Sequence, residues 1–398
     1  MKPSFWGKLK KYTARKIANF LIDAEIFFQR QTRHSDKTAL LVKPEGIGDY
    51  LLFYSTLKYY LTAFPDYKFY LLASKRNSAI ARDLNRRDQT FAEIIELDKE
   101  KFASNFFYRR SFCLDVFKRN FNLVIYPTSW REPKCDLIIQ ASRAPRKIVF
   151  SGNGYYLDWE KKAADAAYAE IITVPENLTR EIDKYKFFAE KVSGQKVNYE
   201  APALTLPPES YQAADKICQE LGLKEKKFVV IFPGSADRYK IWSRDNFSEV
   251  IKFLLSRQLT AVVAGADFDQ QFFDEILKYL PDEHRSEVVN LCGRTSLLVL
   301  GGILKKSLFY FGSDTGVMHL AAAVGCPVIC LLGGGHFGRF FPYGDLSLNR
   351  IVYDKEMKCR NDEWACAQKN KLAPAPCVAG IKVSEAINEI NSLLAYLN

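Results

Sequence analysis

The stretch Ser313–His319 reads SDTGVMH and places an acid, two hydroxyls, a glycine and an imidazole within two helical turns. It follows an apolar run, FYFG, and leads into HLAAAVG. A Ser or Asp at such a junction caps a helix whose first N–H groups and dipole attract phosphate. Gly316 offers no side chain to block close approach. His319, four residues after Thr315 and three after Gly316, lies on the same face one turn in. Read alone, the spacing also describes a capped helix with an incidental histidine.

Two further strand ends carry compatible groups. In FPGSADRYKIWS, Ser235 can donate to a phosphate oxygen, and Arg238 and Lys240 supply positive charge. In VVAGADFDQ, Asp267 follows a strand as acids that hold ribose hydroxyls do. Cation, hydroxyl, helix terminus and carboxylate together suit a nucleotide diphosphate. A fourth junction, KPEGIGDYLL, differs. Gly46 and Gly48 fit a dinucleotide fingerprint, but its third glycine is Leu51, and Asp49 would repel a pyrophosphate there. This disfavours a nicotinamide-dependent oxidoreductase. The turn is instead suited to holding the Asp49 carboxylate at a cleft, facing whatever the other half of the chain binds.

Positioning these groups requires strands that end at one edge. ALLVK, KFYLLAS, EIIEL, NLVIYPT and KIVFS alternate with helical stretches, and FVVIFPGS, TAVVAGAD, VVNLCG, LFYFGSDTG and PVICLLGGG form a second series. Such alternation predicts parallel sheets covered on both faces. The expected class is α/β, with two Rossmann-like, doubly wound domains facing a cleft. The boundaries are an N-terminal arm over 1–37, a first domain over 38–200, a second over 201–380 and a closing helix over 381–398.

The 398-residue chain carries a net charge of +11, which suggests an anionic partner. Residues 1–37 hold nine Lys/Arg against three Asp/Glu and recur apolar at helical spacing, from Trp6 to Phe28. They read as a basic amphipathic helix, either lying on an anionic membrane surface or packed on the first domain. No signal peptide and no apolar run of the ~18–20 residues a membrane span needs is visible. Reduced thiols are expected for the nine cysteines, and the spacing of Cys359, Cys366 and Cys377 matches no zinc pattern well. No metal is therefore expected.

The motifs GIGDYLL, PGSADRYKIWS and SDTGVMHLAAAVGCPVICLLG, with GRFFPYG after them, resemble glycosyltransferase family 9, the lipopolysaccharide heptosyltransferases and their relatives. The likeness runs over about 38–390. It implies a GT-B fold and inverting, metal-independent transfer, usually from ADP-heptose. The acceptor would be a lipopolysaccharide core or related lipid-linked glycan at the cytoplasmic face of the inner membrane. By position, Asp49 matches the base. Ser235 and Lys240 match phosphate contacts, Asp267 a nucleoside contact, and Asp314, Thr315, Gly316 and His319 the donor-binding helix. Glu45, where the family usually has a small polar residue, is a departure.

The acceptor side is expected near Gly48, Arg131, Lys134 and Arg143, with Arg146 and Lys147 in the same cluster. No cofactor beyond the nucleotide-sugar co-substrate and no nucleic-acid partner are expected. A GDP- or UDP-linked donor and a non-catalytic, membrane-associated glycan-binding protein are the alternatives.

Overall fold

In the computed structural model the described residues are 18–29, 36–152, 158–370 and 372–397. They form two compact units.

The first unit comprises Met1–Gly46, Thr56–Leu178 and Lys184–Val197. Its sheet is all-parallel: β1 (Thr38–Lys43), β2 (Lys68–Ser74), β3 (Glu93–Leu97), β4 (Leu123–Tyr126), β5 (Arg146–Phe150) and β6 (Glu170–Ile172), in the order β3-β2-β1-β4-β5-β6. Every residue of β1 is buried, as expected of a central strand covered by helices on both faces. The β1/β2 register runs from Thr38 opposite Lys68 to Lys43 opposite Ala73, so both strands end at the same edge.

The second unit comprises Ile47–Ser55, Thr179–Asp183 and Asn198–Asn398. Its strands are β7 (Phe228–Phe232), β8 (Thr260–Val263), β9 (Val289–Asn290), β10 (Tyr310–Ser313), β11 (Val328–Leu331) and β12 (Asn349–Val352), in the order β12-β11-β10-β7-β8-β9. Counted from the first strand of each unit, both sheets share the 3-2-1-4-5-6 order, which reverses between β1 and β4 and between β7 and β10. Ligands of open α/β sheets sit at such reversals, beyond the carboxyl ends of the strands. The sequence predicts five strands per sheet. The additional β6 and β12 are edge strands of three and four residues, too short to show a pattern.

The main boundary, between Val197 and Asn198, falls near the expected cut at residue 200, but two earlier segments, Ile47–Ser55 and Thr179–Asp183, also group with the second unit. The helix Ile47–Tyr54 belongs to the second unit, although the strand before it belongs to the first. The reason is packing: a Cβ on Gly48 would stand 2.5 Å from His319 Cδ2, and one on Gly316 would stand 2.7 Å from Ile47 Cβ. Two glycines thus let this helix and the helix Gly316–Ala323 approach closely. The closing helix forms over Val383–Leu397.

Of the basic arm, residues 1–17 and 30–35 lie outside the described residues. Residues 18–28 are helical. Ile22 and Ile26, one turn apart, enter the core of the first unit, while Phe20, Leu21, Phe27 and Phe28 are exposed. No helix among the described residues is long and apolar enough to cross a membrane.

Candidate active site

The reversal between β7 and β10 brings together most of the residues singled out in the second half. Asp314, just past β10, is buried, and its Oδ2 lies 3.2 Å from Nζ of Lys240 in the short turn Arg238–Lys240 after β7. Burial pushes the Asp314 carboxyl up, but Lys240, His319 and His336 outweigh it and hold the pKa below the ordinary value. Burial likewise works against the Lys240 charge, and Asp314 and Asp237 more than compensate. The pair is therefore ionised. The Lys240 ammonium also lies 5.6 Å from the ring centre of Trp364.

Thr315 is the extended residue before the helix Gly316–Ala323, and its side chain leaves the first N–H groups uncapped. His319 is buried one turn in. Burial lowers its pKa to about 4, against the pull of Asp314, so the imidazole is neutral near pH 7. Its Nδ1 is 2.9 Å from the Tyr343 hydroxyl.

A cavity of about 350 Å³ opens at these strand ends, lined among others by Ser235, Phe268, Asp269, Thr295, Thr315 and Gly316. Its acid is not the expected one. The Asp267 carboxylate turns away over Gly293, where a Cβ would stand 1.9 Å from Oδ1. Asp269 instead lines the cavity, with Oδ2 accepting from the Ala266 N–H at 2.9 Å. Both acids lie in GADFD; which one faces inward depends on the short helical turn Asp267–Asp269, which the residue types do not announce. Phe268, mostly exposed, and Thr295 were also not singled out in the sequence. Next to this space, a second cavity of about 430 Å³ is lined by Ser235, Arg238 and Arg244.

Asp49 is half-buried on the first turn of the helix Ile47–Tyr54, in the same unit as Asp314 and His319. It was expected to belong to the opposite domain; the Gly48 and Gly316 contacts tie it to the second unit instead. Gly48, expected on the acceptor side, has this packing role. Asp49 contributes to the field at Arg339, whose Nε lies 2.8 Å from Glu181 Oε1 and whose Nη1 contacts Glu363.

In the first unit, Glu45 pairs with the fully buried Lys43 at 2.9 Å, and Lys43 also lies against the ring and hydroxyl of Tyr185. The unusual acid thus accompanies a buried cation. Beyond β1, β2 and β3 lies a cavity of about 730 Å³ lined by Lys75, Arg76, Lys99 and Lys134 together with Glu45, Asp98, Glu100 and Glu132. Lys75 pairs with Asp98 at 2.7 Å and Lys99 with Glu132 at 2.5 Å.

Lys134 is therefore where a phosphate-bearing ligand could meet it. Arg131 is not. Its guanidinium is buried, 2.7 Å from Asp136 and 2.6 Å from Asp165, and lies over Tyr168. Arg143 pairs with Asp23 at 2.7 Å and Arg146 with Glu170 at 2.6 Å. Lysines and arginines at the ends of β2 and β3 were legible only as surface charge, since nothing local shows which strand ends share a cavity.

With this geometry in place, comparison with known proteins gives a consistent result. The profile of glycosyltransferase family 9 (heptosyltransferase) matches residues 155–370, and the chain belongs to that family. The chain is similar to lipooligosaccharide heptosyltransferase 2 of Haemophilus influenzae, 29% identical over 200 residues, covering 49% of this chain and 56% of that one. Its similarity to lipopolysaccharide heptosyltransferase 3 of Escherichia coli K12 is 34% over 116 residues, covering 28% and 32%. It thus spans about half the length of the first of these relatives and a third of the second.

The fold matches that of a family 9 glycosyl transferase from Veillonella parvula, with TM-score 0.72 and 14% identity, over 92% of this chain and 100% of that one. It also matches the E. coli ADP-heptose lipopolysaccharide heptosyltransferase II, with TM-score 0.64 and 17% identity, over 90% and 99%. The fold is therefore GT-B, as the resemblance implied.

Proposed function

We propose that this protein is an inverting, metal-independent glycosyltransferase that moves heptose from ADP-heptose onto a lipopolysaccharide core or related lipid-linked glycan. The observation that carries this reading is the cavity at the β7/β10 reversal. It has a carboxylate and an aromatic ring, Asp269 and Phe268, at one side and the uncapped helix Gly316–Ala323 at the other. The nucleoside occupies the former and the diphosphate the latter. Asp269 is assigned the ribose contact in place of Asp267.

In a single displacement, Asp49 takes the proton of the acceptor hydroxyl as its oxygen bonds to the anomeric carbon. The bond from that carbon to the phosphate oxygen breaks with inversion, and the nucleoside diphosphate leaves with the electron pair. An anion leaving in this way needs positive potential rather than a proton. Lys240, Ser235 and the N–H groups after Thr315 supply it. Lys240 enters this role already paired, so Asp314 fixes its direction. His319 is neutral and buried and holds the helix rather than a proton in flight.

Phosphate groups of an anionic acceptor meet Arg76 and Lys134 at the cavity of the first unit, where Lys75 and Lys99 already pair with Asp98 and Glu132. The exposed Phe20, Phe27 and Phe28, next to the lysine-rich N-terminus, support peripheral association with the cytoplasmic face of the inner membrane.

Calorimetric titration with ADP, GDP and UDP tests the donor, with ADP expected to bind most tightly. Asp49→Asn is expected to retain ADP affinity while turnover of ADP-heptose falls by roughly 100-fold or more. Full activity in that variant would refute the role of Asp49, and preference for GDP or UDP would refute the donor.

A further inference from the structure

Between β12 and the closing helix runs an irregular segment whose polar side chains take no part in the reaction proposed above. Three of them converge. The Sγ atoms of Cys359 and Cys366 and a carboxylate oxygen of Asp362 all lie within 4.8 Å of one another, and all three residues are half-buried. The sequence argued against a metal on the spacing of Cys359, Cys366 and Cys377; the carboxylate of Asp362, between the first two, did not enter that reading.

The carboxylate is held in place by its surroundings. Asp362 Oδ1 accepts from the Trp364 N–H at 3.0 Å and Oδ2 from the Cys366 N–H at 3.3 Å, at the start of the helix Ala365–Asn370. Hydrogen bonds of this kind orient metal ligands and fix the group before an ion arrives. A tetrahedral zinc ion, with Zn–S of about 2.3 Å and Zn–O of about 2.1 Å, needs its ligand atoms roughly 3.5–3.8 Å apart. Small side-chain rotations bring a group within 4.8 Å to that separation. Two thiolates select zinc or another thiophilic ion over magnesium or calcium.

We propose that Cys359, Asp362 and Cys366 bind a zinc-type ion, with water as the fourth ligand of the tetrahedron. Cys377 stands outside it, its Sγ accepting from the Gly334 N–H at 3.2 Å.

The position gives the ion a purpose. The segment it would clamp lies over the glycine-rich loop after β11. Asn361 N–H donates to Gly334 O at 2.7 Å and Glu363 N–H to Gly335 O at 3.1 Å. A Cβ on Gly334 would strike Cys359 O at 2.4 Å, and one on Gly335 would strike the Trp364 ring. The same few residues place Trp364 beside Lys240, and Glu363 against His336 and Arg339. Residues 359–366 thus carry side chains that reach the candidate active site, but the segment has little regular structure of its own. A metal crosslink restricts it, as metal binding stabilises small irregular elements elsewhere. The ion touches no substrate, so this inference stands whether or not the donor is ADP-heptose.

The test uses the full-length protein purified without chelator or affinity metal. Elemental analysis is expected to give about one zinc per chain. Cys359→Ser and Cys366→Ser should each remove most of it, and Cys218→Ser, in the helix Pro208–Glu220, should remove none. Cobalt(II) added to apoprotein should produce thiolate charge-transfer absorption in the near ultraviolet. Should the serine variants fail to fold, the wild-type chain still decides the matter. Zinc should slow alkylation of Cys359 and Cys366 at least tenfold relative to chelator-treated protein. Protein that takes up neither zinc nor cobalt, or whose two thiols react equally fast with and without zinc, would overturn the proposal. So would a Cys359–Cys366 disulfide in the freshly isolated protein.

Discussion

Acid should act on this protein first through His319. Burial lowers the imidazole from its ordinary 6.5 to about 4, so the folded chain resists a proton that the unfolded chain accepts. Below pH 6.5 the unfolded state therefore binds more protons, and stability falls as pH drops until both states are protonated below about 4. The full shift corresponds to about 3 kcal/mol, of which about 2 kcal/mol is lost between pH 7 and pH 5. The measurement is urea unfolding at those two pH values, followed by tryptophan fluorescence, on the wild type and on His319→Gln. Glutamine can still bond the Tyr343 hydroxyl but cannot titrate. The wild type should lose about 2 kcal/mol more than the variant over this interval. Equal losses, within about 0.5 kcal/mol, would show that His319 protonates freely in the folded state and would refute the burial argument.

Other substitutions probe separate parts of the construction. Gly48→Ala brings a Cβ within 2.5 Å of His319 Cδ2. It should destabilise by ~1–3 kcal/mol, offset by at most ~1 kcal/mol of helix propensity, as read by urea unfolding. Adding Gly316→Ala at the same contact should cost less than the sum of the two single changes. Lys240→Ala leaves the buried Asp314 unpaired and should lower stability by ~3–5 kcal/mol in the same assay. Bound calorimetrically, ADP should also be weaker by at least tenfold. Arg131→Met, which removes the buried cation from Asp136 and leaves it the Tyr168 hydroxyl, should lower stability by ~3–5 kcal/mol, whereas Lys134→Ala should leave the melting midpoint nearly unchanged.

The sequence by itself determined the two parallel sheets, because strands buried on both faces must be written as apolar runs such as TALLVK and FVVIF. It also determined the group Asp314 to His319 and its juncture with Lys240, because a Rossmann-like order makes β7 and β10 neighbours and carries the residues after them to one edge. Only the tertiary structure decided what depends on contacts distant in sequence. Gly48 reads as part of a ligand-binding turn, yet its missing side chain serves a helix crossing with His319, 271 residues away. That crossing assigns Asp49 to the second unit. Asp267 and Asp269 are indistinguishable as residue types, and the turn geometry selects between them. Arg131 looks like a free cation until Asp136 and Asp165 close on it. Local periodicity encodes which faces are buried, whereas the partner of a buried charge or a missing Cβ is fixed only when remote segments pack.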